Sequence, residues 1–126
     1  QKPMKVTTAK NEKLGKMVFA SIYPLYLNRL VKNGRTEEEL RTVIKWITGF
    51  DEKQLQTLID EKVTYKTFFE KATMHPNSHM IKGVVCGYRI EEIPDEFELY
   101  RQCRCMEKLI DELARGRKME KIIRTA

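Results

Sequence analysis

His75 and His79 stand four residues apart, a spacing that puts two ring nitrogens on one metal ion when a single helix carries them. Pro76 and Asn77 lie between them. Proline there marks a turn, so the pair straddles a bend instead of sharing a helix face. Cys86 comes seven residues after His79. A zinc set of His75, His79 and Cys86 matches no established ligand spacing, and no metal or other cofactor is expected. As a nucleophile, Cys86 would need a base within about 3 Å and a third group to orient that base. Flanked by Val85 and Gly87, it reads better as a small packed hydrophobe. No catalytic residue is assigned.

Cys103-Arg104-Cys105 is not a CxxC pair. On a helix, residues two apart point about 200° from one another. Cys103 therefore fits a buried seam, and Cys105 is expected to face outward. Gly83 and Gly87 lack the Gly-Lys-Ser/Thr of a phosphate loop. They are four apart, and on a helix they would form a small-residue face that another helix can approach closely. The surrounding segment is dense in polar side chains. If the chain has a ligand pocket, its expected residues are His75, Asn77, His79, Tyr88 and Arg89. Trp46, Gly83 and Gly87 are the expected interface residues.

These groups must be positioned by 126 residues, of which 41% are hydrophobic and 33% charged. That length suits one domain with its own core, without disulfides. Three cysteines without a framework spacing read as free thiols in a reducing compartment, so a cytoplasmic location is expected. No apolar run reaches the length of a membrane span, and no membrane association is expected. The formal net charge is +6. Residues 1–16 carry five lysines against one glutamate, and residues 115–126 carry five basic residues against one. The excess sits in the ends, so the sequence disfavours nucleic acid as a partner. Residues 51–62 would be the second helix of a helix-turn-helix. They carry four acidic and two basic residues, which would repel phosphates.

Residues 1–16 are polar and aperiodic, and are expected to form a flexible basic N-terminal segment. A single helical domain is expected over 17–126. Phe19, Ile22, Tyr26 and Leu30 recur on one helical face, interrupted by Pro24. Thr36 and Glu39 form a capping box for a helix whose apolar stripe is Leu40, Val43, Ile44 and Ile47. Asp51 caps a helix with Leu55, Leu58 and Ile59, and Thr64 caps a short one with Phe68, Phe69 and Ala72. Leu99, Cys103, Met106, Ile110 and Leu113 mark the longest helix, over about 96–115. Segment 83–91 reads two ways. Period 3.6 groups Ile81, Val84, Val85 and Tyr88, while period 2 groups Val84, Cys86, Tyr88 and Ile90. The helix is preferred because no second strand is evident, with a strand paired across a dimer axis as the competitor. The expected fold is all-α, a compact bundle of five to seven short helices with steep crossings. The alternative is α+β with 83–91 as a strand.

Several motifs carry a family resemblance. They are Phe19-Ala20-Ser21-Ile22-Tyr23-Pro24-Leu25-Tyr26, Gly34-Arg35-Thr36, Trp46-Ile47-Thr48-Gly49-Phe50, the run from Ile81 through Gly87-Tyr88-Arg89 to Ile93, and Asp111 to Ile122. Over residues 17–124 the chain resembles the uncharacterised prokaryotic proteins grouped as domain of unknown function 2200. The resemblance implies a small bacterial cytosolic protein with a multi-helical fold, and it implies no activity.

The sequence thus points first to a small cytosolic helical protein that works by binding, to itself as a homodimer or to a protein partner, without catalysis. The alternative is a small enzyme or small-molecule-binding protein with its site at 75–92. A weaker one is non-specific nucleic-acid binding through the basic ends.

Overall fold

The computed structural model describes residues 3–125, and these form seven α-helices and one two-stranded hairpin. The helices are α1 (Thr8–Lys16), α2 (Phe19–Lys32), α3 (Glu37–Thr48), α4 (Glu52–Asp60), α5 (Tyr65–Lys71), α6 (Glu98–Ala114) and α7 (Met119–Ile122). Between α5 and α6 run a 3-10 turn (Pro76–Met80) and the strands β1 (Val84–Val85) and β2 (Tyr88–Arg89). Two further 3-10 turns, Ile90–Glu92 and Asp95–Phe97, lead into α6. No helix among the described residues is long and apolar enough to cross a membrane.

Helix starts follow the capping logic of the sequence. Thr36 Oγ1 accepts from the Glu39 N–H and Glu39 Oε1 accepts from the Thr36 N–H, both at 3.1 Å. Asp51 and Gln54 repeat the device on α4, and Thr64 caps α5. Each such cap contributes about 1 kcal/mol by sparing orphan N–H groups. α2 runs through Pro24 without a break.

The core forms around α6, which packs against α1, α2, α3, α5, α7 and β1. Leu40, Val43, Ile44 and Ile47 of α3 are fully buried, as are Cys103, Met106, Leu109 and Leu113 of α6. A second layer is aromatic. Phe19 stacks on Phe68 at 4.1 Å between ring centroids, and Phe50 meets Phe68 edge-on at 5.1 Å.

Besides Cys86, expected to pack but exposed at the hairpin turn, the structure departs from the sequence reading in three places. Residues Thr8–Lys16 are helical, not extended. Their one buried apolar side chain, Leu14, leaves no periodicity to detect, and Gly15 beside it lets Leu99 approach the α1 backbone. Gln1 and Lys2 of the expected flexible segment lie outside the described residues. Second, 83–91 is not a helix, so Gly83 and Gly87 form no helix-crossing face. The missing partner strand lies within the same segment: Val84 pairs with Arg89 and Val85 with Tyr88, antiparallel. Cys86 and Gly87 form the two-residue turn with φ of 52° and 82°, the doubly left-handed geometry that matches strand twist. Third, Cys105 is buried, not outward, because the 74–81 and hairpin segments cover a second side of α6.

Gly49 closes α3 at φ 78°, and a Cβ there would sit 3.0 Å from the Thr73 carbonyl oxygen. Left-handed strain alone costs about 1–2 kcal/mol. Gly49→Ala is therefore expected to destabilise the fold by about 2 kcal/mol or more, read from urea unfolding midpoints. An unchanged midpoint would contradict that packing.

Candidate functional site

The five residues expected to form a ligand pocket are divided among separate places. The His75 ring stacks on Trp46 at 4.3 Å, and its Nδ1 accepts the Asn77 N–H at 3.0 Å. Asn77 donates through Nδ2 to the Arg124 carbonyl at 2.8 Å. These two therefore hold a turn against α3 and the C-terminal segment. His79 lines a cavity of about 320 Å³ with Ile81, Glu91, Arg101 and Cys105. Tyr88 is buried, edge-on to Tyr100 at 5.1 Å. Arg89 lies 3.6 Å from Glu92 and lines a different cavity of about 280 Å³ with Met4, Ile93 and Pro94. Of the expected interface residues, Trp46 is half-buried under His75, Gly83 precedes β1, and Gly87 lies in the hairpin turn. Among the described residues, no group of three or more His, Cys, Asp or Glu stands close enough to hold a metal ion.

What the sequence reading missed is a polar network where α2, α5, α6 and the hairpin meet. The Tyr26 hydroxyl lies 2.6 Å from the Tyr65 hydroxyl and donates to Glu107 Oε2 at 2.6 Å. Glu107 Oε1 pairs with Arg104 one turn earlier on α6. Arg104 donates to the Tyr100 hydroxyl at 2.9 Å, and its guanidinium lies over the Tyr88 and Tyr100 rings at 5.1 and 4.7 Å from their centroids. Cys86 Sγ is 3.7 Å from Glu107 Oε1.

Burial, with Glu107 adding to it, pushes both the Tyr26 and Tyr65 phenols well above their usual range. Partial burial and the Glu107 charge push the Cys86 thiol up as well. Burial alone would lower Arg104, but Glu107 outweighs it and holds the guanidinium charged. Raised in this way, the tyrosine hydroxyls and the thiol hold their protons at neutral pH, and Glu107 accepts from both Tyr26 and Cys86. The work of the cluster is to fix register. The i, i+3 spacing of Arg104 and Glu107 was the available signal, with Tyr26 on the buried face of α2.

Removing one partner of a buried ion pair leaves the other uncompensated, at a cost of about 3–5 kcal/mol. A lost neutral hydrogen bond costs about 1 kcal/mol. Glu107→Leu should therefore lower stability by about 3 kcal/mol, and Tyr26→Phe by about 1–2 kcal/mol, measured by chemical denaturation. Equal losses would contradict a network centred on the ion pair.

A cavity of about 860 Å³ lies elsewhere, between α1, α5 and the start of α6. Gly15, Phe69 and Leu99 give it an apolar floor, and Glu12, Glu70, Glu96 and Glu98 stand around it with Lys16 and Lys66. Asn11 Oδ1 accepts the Tyr100 N–H at 3.2 Å, tying α1 to the first turn of α6. Glu98 is paired with Arg101, which leaves three carboxylates against two ammonium groups and makes this cleft locally acidic in a chain whose net charge is +6. Its lining comes from three separated segments, which no local motif reports.

No curated protein matches the chain. The crystal structure of uncharacterized protein SP1917 is similar to it: 34% identity, a TM-score of 0.81, and coverage of 88% of this chain and 90% of that one. A family model described as "Uncharacterized protein conserved in bacteria (DUF2200)" matches residues 13–124, in line with the resemblance seen in the Phe19–Tyr26, Trp46–Phe50 and Ile81–Ile93 motifs. On that match, the chain belongs to this uncharacterised bacterial family.

Proposed function

We propose that this chain is a cytosolic bacterial binding protein without chemistry of its own, and that the cleft between α1, α5 and α6 holds a basic, partly apolar segment of a protein partner. The observation that carries this reading is the pairing of an apolar floor with an acidic surround in the cavity of about 860 Å³. An apolar face entering such a groove supplies affinity, and flanking cations supply orientation and steering. Among the described residues, Glu12, Glu70 and Glu96 have no cationic partner within salt-bridge distance, which leaves their charge available. Three thiols without a disulfide agree with a reducing compartment.

The test uses a short amphipathic peptide of lysine and leucine, titrated while backbone amide shifts are followed by NMR. Saturable shifts are expected at Gly15, Phe69 and Gln102. Reversing charge in Glu70→Lys with Glu96→Lys should weaken binding about tenfold, or about 1.4 kcal/mol. Shifts scattered over the surface without saturation would sink the reading. Native mass spectrometry without peptide shows whether a second copy is the partner, since a dimer that dissociates in the same variant places the interface at this cleft.

A further inference from the structure

The three C-terminal arginines are tied to carboxylates of α6. Arg124 grips Glu112 with both terminal nitrogens, at 2.7 and 2.9 Å, and Arg117 reaches the same carboxylate at 3.0 Å. Next to it on α6, Asp111 binds Arg29 of α2 at 2.6 Å and Arg115 at 2.9 Å. Arg35, just past the end of α2, donates to the Arg117 carbonyl and to Glu39, each at 2.8 Å. Five guanidiniums therefore meet three carboxylates in one contiguous cluster, and two of those carboxylates, Asp111 and Glu112, are buried. Burial alone would raise Asp111, but hydrogen bonds from Arg29 and Arg115 hold its carboxyl below the usual range, so it stays ionised beneath them.

Three of the five cations are exposed, while Arg35 and Arg124 are largely covered. The side chains of Arg29, Arg115 and Arg117 are 49%, 75% and 47% accessible. Each uses one nitrogen on a carboxylate and keeps the others for a ligand. Lys32 lies on α2 one turn beyond Arg29, and Lys118 follows Arg117. The ends of α2 and α6 favour some cations here through their helix dipoles, but that would require one or two, not a cluster. A carboxylate buried behind a guanidinium fixes its plane, and oriented forks are what phosphate oxygens bind best.

We infer that the Arg29–Arg115–Arg117 face binds phosphate groups, such as those of a nucleic acid backbone or of a free phosphate ester. The face is independent of the acidic cleft: Leu99 and Arg115 are about 24 Å apart along α6, at 1.5 Å per residue. The lysines of α1 are not part of it, because α1 packs at the other end of α6.

The test measures fluorescence anisotropy of a labelled single-stranded DNA oligonucleotide at several salt concentrations, and then adds inorganic pyrophosphate. Binding should weaken about tenfold in Arg115→Gln with Arg117→Gln. The slope of log affinity against log salt should fall by about one per arginine removed. Strong displacement by pyrophosphate identifies a free phosphate ester as the source, and weak displacement identifies the polymer backbone. Arg115→Lys with Arg117→Lys keeps the charge and loses the fork, so it should bind at an intermediate level. Amide spectra confirm that each variant is folded. Three results would overturn the proposal: no binding of either probe, equal binding by the lysine variant, or a loss that follows Lys10, Lys13 and Lys16 and not the arginines.

Discussion

The Arg104–Glu107 pair on α6 is the constraint around which the rest of the molecule is arranged. The pair is mostly shielded from water, and its terminal nitrogens and carboxylate oxygens find partners while Arg104 Nε is buried without one. Losing a partner there costs more than most single contacts contribute. Tyr26 of α2 and Tyr65 of α5 reach Glu107, directly or through one another. Tyr88 and Tyr100, themselves edge to face, both place their rings against Arg104. One helix turn thus sets the positions of two other helices and of the hairpin. Leu, Ile and Phe packing supplies most of the stabilisation but tolerates sliding. The polar network does not tolerate it, since a register shift would strand a carboxylate or a guanidinium.

The two ends of α6 then differ in what they present to solvent. Its first turns lie beside α1 and α5, where glutamates surround an apolar floor. Its last turn carries Asp111 and Glu112 beneath a layer of arginines. The charge tally of the sequence averages these regions and so obscures both. Resolved in space, the cleft is an acidic region and the arginine face a basic one, held at a fixed separation by a single helix.

The parts of the fold that were legible in the sequence are those specified locally. Capping boxes at Thr36 and Asp51, and apolar spacing in α3 and α6, depend on residues within one or two turns of each other. The hairpin was not legible as such. Its turn uses Cys-Gly in place of the Asn-Gly that usually announces that geometry, and both strands are two residues long, too short for period 2 to outweigh period 3.6. α1 was missed because its one buried side chain carries no period. The candidate site was legible only in pieces. His75 and Asn77 do work together, but as a brace for Trp46 and the C-terminal segment. Glu12, Phe69 and Gln102 come together only through tertiary packing.

The hairpin turn also sorts the three thiols by access. Cys103 and Cys105 lie inside the bundle, where burial pushes the Cys105 thiol up to about 11. Cys86 stands at the tip as an exposed residue, with its sulfur turned toward Glu107. Toward a bulky maleimide the chain therefore has one handle, without any need to engineer the others away. A fluorophore attached there sits on the seam between hairpin and α6, so its emission would report whether that seam is closed.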